Sequence, residues 1–125
     1  MKQLVLVMLL ASTPAWAEWT LVRVGVDYDA YADLATIRRS GNMATMWSLL
    51  DFKSVQRVAG TAFLSRTARY EYDCDGARSR TLALVLHSEN MGGGEVVYSD
   101  ADPGQWTPVF PDSINEAVWK RTCKK

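Results

Sequence analysis

Histidine is nearly missing from this chain, cysteine is scarce, and neither sign of charge is in excess. The 125 residues hold one His, two Cys, and 14 Lys+Arg against 14 Asp+Glu. Each shortage removes a class of function. Balanced charge argues against a nucleic-acid binder, which carries a strong basic excess. A lone histidine, His87, has no evident partner for acid–base work, and with two cysteines it makes a poor zinc set. No Gly-x-Ser-x-Gly elbow occurs, so a serine hydrolase has no support. Asp73, Asp75, Asp100 and Asp102 lack the regular spacing of a calcium loop and read as turn residues. Gly92-Gly93-Gly94 is followed by a strand pattern, whereas a phosphate loop needs a helix and usually a lysine. The expectation is a non-enzyme with no catalytic residue, no metal and no cofactor.

The one long apolar run lies at the start. Lys2 precedes Leu4 to Leu10, a polar step Ser12-Thr13-Pro14 follows, and Ala15-Trp16-Ala17 ends the segment. A charged start, an apolar middle and a small-x-small ending describe a secretory signal peptide. The run is short of the roughly 20 apolar residues that span a bilayer. Residues 1–17 are therefore expected to be removed, leaving a single domain over 18–125 with no membrane span. No cysteine follows closely, so no lipid anchor is expected. In an exported chain, Cys74 and Cys123 are most simply one disulfide, with free thiols or a metal pair as the other readings. A bridge closing a loop of that length contributes about 4 kcal/mol in the chain-entropy model.

Most of the domain alternates with period two, the mark of half-buried strands. The pattern predicts strands over 19–26, 28–32, 43–52, 63–74, 80–88 and 95–100. Asp33 to Arg38 is expected to hold a helical turn capped by Asp33, and Lys53 to Gly60 a polar loop. The third strand is apolar on both faces, which suggests a central strand, or one with a face covered by the helix and the other by loops or a partner. Around Gly76, pairing Tyr72 with Arg80 and Tyr70 with Leu82 joins the apolar faces and calls for a three- or five-residue loop. Ser113 and Glu116 have the spacing of a capping box opening a C-terminal helix. Ile114, Ala117, Val118 and Arg121 form its stripe, flanked by Trp119. A Cys74–Cys123 bridge would pin this helix to the end of the fourth strand.

Five residues are candidates for binding a partner. Arg69, Arg78 and Arg80 lie on one predicted hairpin, and arginine is enriched at interfaces and grips carboxylates bidentately. The plain reading pairs these arginines with Glu71, Asp73 and Asp75. Arg66 and Arg69 should point to opposite faces. Trp106, in a Pro-Gly-Gln-Trp-Thr-Pro loop, is an exposed contact or a clamp on the core. Met91 sits beside the glycines on a loop tip able to serve as a binding loop, though a simple hairpin is the plainer reading. His87 reads as a sheet-surface residue. A sheet with both faces partly apolar is also compatible with a homodimer.

Larger segments carry a resemblance. They are Tyr31 to Gly41, the strand Trp47-Ser48-Leu49-Leu50-Asp51-Phe52-Lys53, and Tyr70-Glu71-Tyr72-Asp73-Cys74. Gly94 to Asp100, Trp106 with Pro108, and a terminal helix ending in Cys123 follow in order. In the order and spacing of these segments the chain resembles the bacterial surface-adhesin protein E-like family. The resemblance implies an α+β fold: a six-stranded antiparallel sheet with a C-terminal helix tied to it by one disulfide. It also implies a non-enzymatic module of a Gram-negative bacterium that engages extracellular-matrix or other proteins. No ligand motif matches residue by residue, so no binding residue is carried across. The missing anchor cysteine supports an alternative: a soluble periplasmic structural or envelope-stress protein without a host ligand.

Overall fold

Period-two alternation carries most of the chain into strands. The computed structural model describes residues 17–124, so the expected signal sequence, Ala17 apart, lies outside the described residues. The elements are β1 (Thr20–Val24), β2 (Tyr28–Ser40), β3 (Met43–Val58), β4 (Thr61–Asp73), β5 (Arg78–His87), β6 (Val96–Asp100), β7 (Thr107–Pro108) and α1 (Ile114–Thr122). β1 to β6 form an antiparallel meander in chain order, which needs only short connections. β6 pairs β5 along Leu84–His87, and β7 takes the rest of the same edge at Arg78 and Ser79. The expected six-stranded sheet with its terminal helix is present, and β7 is an addition to it.

Two segments differ from expectation. Asp33 to Arg38 is strand, not a helical turn, and β2 continues to Ser40. Its register against β3 slips there: Asp33 faces Trp47 and Arg38 faces Thr45, so Leu34 to Ile37 stand against Met46 alone. The Thr36 hydroxyl donates to the Asp33 carbonyl (2.7 Å) and accepts from the Trp47 N–H (3.0 Å). One side chain thus replaces ladder bonds that the extra residues displace. The bulge turns both Leu34 and Ile37 into the core, and this i, i+3 spacing imitates a helix in the sequence. Lys53 to Val58, expected as loop, extends β3 into a long hairpin with β4. Ala59 and Gly60 close it with φ of 50° and 84°, the paired positive values of a type I′ hairpin turn. This arm projects with nearly all its β3 residues exposed, so burial imposes no alternation on it.

The β4–β5 register is half as expected. Ala68 faces Leu84 and Arg66 faces Leu86, in line with the predicted pairing. Nearer the turn, Tyr72 faces Ser79 and Tyr70 faces Thr81, one residue off. A bulge at Leu82 absorbs the difference, and the loop is Cys74-Asp75-Gly76-Ala77, of even length. The Asp73 carboxylate organises that loop, accepting from the N–H groups of Asp75 (3.1 Å) and Gly76 (2.9 Å). Such local satisfaction fixes turn length independently of the hydrophobic pattern.

α1 packs over β1, β2 and β3. Ala32, Met46, Tyr72 and Val118 are its buried centre, with Val22, Leu34, Ile37, Ile114 and Trp119 around them. Ser113 caps the helix by accepting from the Glu116 N–H (3.0 Å). Glu116 reaches back to the Asp112 N–H (3.0 Å) rather than to that of Ser113, so the capping box is shifted by one residue. A nine-residue helix is marginal alone, and two tethers hold it. Trp119 Nε1 donates to the Asp73 carbonyl (3.1 Å), and Cys123 is bonded to Cys74. The metal-pair and free-thiol readings fall, because both cysteines are in this bond. Thr122, absent from the predicted stripe, is fully buried with its hydroxyl returned to the Val118 carbonyl (2.8 Å).

The other sheet face is also covered at one end. The β5–β6 connection folds back as a 3-10 turn over Asn90–Gly92. Ser65, wholly buried, donates to the Glu89 carbonyl (2.6 Å) and accepts from the Gly92 N–H (2.8 Å). Asp51 accepts from the Asn90 side chain and the Met91 N–H, each at 2.8 Å. This strap explains why β3 is apolar on both sides: helix covers one face and loop the other.

Candidate functional site

Directly opposed residues of an antiparallel sheet share a face. Arg38 faces Thr45, Thr45 faces Glu71, and Glu71 faces Arg80. These four make a line across β2 to β5 on the face away from α1. β7 extends the line. Thr107 pairs with Ser79, which brings Trp106 alongside Arg80. The Arg78 and Arg80 guanidinium carbons stand 4.5 and 4.8 Å from the Trp106 ring centroid, within cation–π range.

The charges of this row are unequally matched. Arg80 pairs with Glu71 at 2.8 Å, and Arg78 with Asp73 at 3.0 Å. The Gly76 N–H and then Arg78 hold the Asp73 carboxyl below the usual carboxylate range, so it is ionised at neutral pH. Arg69 borders a shallow hollow shared with Arg38, Arg39 and Glu71. Among the described residues, no carboxylate lies in ion-pair range of Arg38, Arg39 or Arg69. Arg38 is instead held by the Ala35 and Ile37 carbonyls, at 3.1 and 2.9 Å. Guanidinium therefore exceeds carboxylate along a partly exposed strip that ends in an indole.

Of the sequence candidates, the fold brings Arg78, Arg80 and Trp106 together and puts Arg69 in the adjoining hollow. Charge pairing with Glu71 and Asp73 holds for Arg80 and Arg78 only. Arg66 points to the opposite face, as alternation requires. Met91 lies apart on the strap, its backbone tied down and 41% of its side-chain-bearing surface exposed. The sequence puts Arg38 in a different turn, and only the sheet register aligns it with the row. His87 stands elsewhere on the outer face with Nε2 2.8 Å from the Thr67 hydroxyl. Burial lowers its pKa and keeps the ring neutral. Among the described residues, no three His, Cys, Asp or Glu side chains converge as a metal set. No helix among them is long and apolar enough to cross a membrane.

A single antiparallel meander, a terminal helix on one face and a disulfide at the helix end define a stapled sheet–helix domain. The family model described as Surface-adhesin protein E matches residues 19–124, and the chain belongs to that family. Crystal form II of Haemophilus influenzae protein E is 13% identical, over 89% of this chain and 91% of that one, with a TM-score of 0.68. Its selenomethionine form gives 13%, 89% and 89%, with a TM-score of 0.66. Protein E from a non-typeable strain is 13% identical over 86% of this chain and 76% of that one, with a TM-score of 0.57. At such identity the likeness is one of fold. No curated protein sequence matches the chain.

Proposed function

We propose that this chain is a small exported, non-enzymatic binding module of the adhesin type, which engages an acidic segment of a protein partner. The observation that carries the reading is the outer-face row, where Arg38 and Arg69 lack carboxylate partners beside the Arg78–Arg80–Trp106 stack. Arginine and tryptophan are the residue types that dominate binding energy at protein interfaces. Family membership supports adhesion as the role. A signal sequence over 1–17 and the Cys74–Cys123 bond support export, since disulfides persist in oxidising compartments.

The test is binding of the purified disulfide-bonded protein to immobilised extracellular-matrix proteins by interferometry. Affinity should fall as salt is raised above the physiological level of about 0.15 M, because exposed charges are screened. Arg38→Glu with Arg69→Glu should weaken binding about tenfold or more, a change of about 1.4 kcal/mol. Absence of binding to every matrix protein, or binding indifferent to this double substitution, refutes the reading. Protease digestion of a tagged protein on intact cells tests surface exposure separately. Protection until the outer membrane is opened would place it in the periplasm and favour the structural alternative.

A further inference from the structure

The helix side of the sheet holds a cavity of about 380 Å³. β3 and β4 supply its floor through Ser48, Arg66, Tyr70 and Tyr72, and α1 supplies an apolar wall through Ile114 and Val118. Gly104 and Gln105 close the side toward β7, held there by the Gly104 N–H on the Thr81 carbonyl (2.8 Å). The volume lies within the roughly 300–1,000 Å³ of small-molecule sites. No Asp or Glu lines it.

Two polar groups in this cavity are left without partners. The Arg66 guanidinium donates through Nη2 to the Tyr70 hydroxyl, while its Nε is buried and bonded to nothing. Among the described residues, no carboxylate pairs with Arg66. Arg80 also borders the cavity, but its guanidinium is held by Glu71. Tyr72 is 0% exposed and its hydroxyl has no partner. Burial raises the Tyr72 pKa, the nearby Tyr70 adds to this and the Arg66 charge opposes it, so the hydroxyl stays protonated and can donate. Folded proteins satisfy nearly all buried polar groups, and an orphan donor on a charged side chain is costly unless something binds it.

We propose that this cavity binds a small amphipathic monocarboxylate, its carboxylate on the Arg66 guanidinium and its apolar body against Ile114 and Val118. One unpaired guanidinium with neutral hydroxyl donors matches a single negative charge. A doubly charged phosphate would leave its second charge uncompensated in a half-apolar site. The cavity shares Arg80 with the arginine row, but neither Arg38 nor Arg69 lines it, so the two sites are separable by experiment.

Benzoate and hexanoate serve as probes, with benzamide, hexanamide and inorganic phosphate as controls. Binding is read from the Arg66 Nε–Hε resonance and from thermal shift of the disulfide-bonded protein. Both acids should move that resonance and raise the melting temperature, and the amides should bind at least tenfold more weakly. Arg66→Lys keeps the charge without the guanidinium fork and should weaken the acids several-fold. Arg66→Gln should abolish their binding, while the Arg38→Glu, Arg69→Glu protein should bind them as the parent does. If Arg66→Gln fails to fold, Arg66→Lys and the Nε resonance of the parent decide the matter. The proposal is overturned if neither acid moves the resonance, which leaves a water-filled cavity. It is equally overturned if amides match acids, if phosphate binds more tightly, or if Arg66→Lys binds the acids like the parent.

Discussion

Removing the Cys74–Cys123 bond should cost this protein a large part of its stability. The bonded residues are 49 apart in sequence with Cα atoms at 5.5 Å. In the chain-entropy model a loop of that length loses about 14 cal/mol/K in the unfolded state, or about 4 kcal/mol at 25 °C. Unfolding entropy of about 2 cal/mol/K per residue gives about 0.2 kcal/mol/K for a domain of this size, so the melting temperature should fall by roughly 15–20 °C. The loss is not only entropic. α1 is nine residues long and contributes Val118 and Thr122 to the buried interior. Without the bond its last turn is retained only by packing and by the Trp119 contact to Asp73. The variant is Cys74→Ala with Cys123→Ala, which leaves no free thiol. Circular dichroism melts and urea titrations of both proteins give the stability difference. Amide hydrogen exchange should show α1 losing protection before the β2–β4 ladders do. A fall in melting temperature below about 5 °C, or helix amides as protected as in the parent, would refute the view that the bond anchors the helix.

Three further outcomes follow from the same geometry. Ser65→Ala should destabilise by about 2 kcal/mol in urea unfolding, because the Glu89 carbonyl and Gly92 N–H are left unpaired under the strap. Gly25→Ala should cost about 1–3 kcal/mol by the same measurement: a Cβ there would lie 2.5 Å from the Tyr28 carbonyl oxygen and 3.0 Å from Ile114 Cδ1, forcing the β1–β2 bend away from the helix. His87 gives a pH signature. Its folded pKa is depressed by burial, so the unfolded chain binds the proton first. Stability should be full above the unfolded value of about 6.5 and fall as pH drops from there toward the folded pKa, a slope that His87→Gln should remove from urea unfolding measured across that window.

Much of the fold is legible because one-sided burial imposes a period on the residues that obey it. β4 and β5 alternate cleanly where Ala68 and Leu84 meet. α1 is announced by Ser113 and its apolar stripe. The failures share a cause as well. Leu34 and Ile37 both reach the core through a bulge, and a bulge breaks the period that would reveal it. Lys53 to Val58 is strand by hydrogen bonding alone, with no burial to write a pattern. The Asp73 turn sets its own length, so the register near Tyr72 follows local capping rather than hydrophobicity.

The candidate sites divide in the same way. Arg78 and Arg80 stand out in the sequence because they are neighbours on one strand, and Trp106 because it sits in a Pro-Gly loop. That Arg38 joins them, and that Met91 does not, is decided by cross-strand register. Arg66 is visible in the sequence only as a polar interruption of an apolar face. That its Nε is left without a partner, in a cavity bordered by α1 and the Gly104 segment, is decided by the tertiary structure.

By itself the sequence determined the class of fold, the positions of most strands, the helix with its cap and the chemistry of a single disulfide. The elements rest on interactions between near neighbours or on a period that burial imposes locally, and the disulfide on an exported chain having two cysteines and no third. The tertiary structure decided the bulges, the strap over β3 and β4, the arginine row and the cavity. These join residues far apart in the chain, and their geometry depends on how whole elements settle against one another.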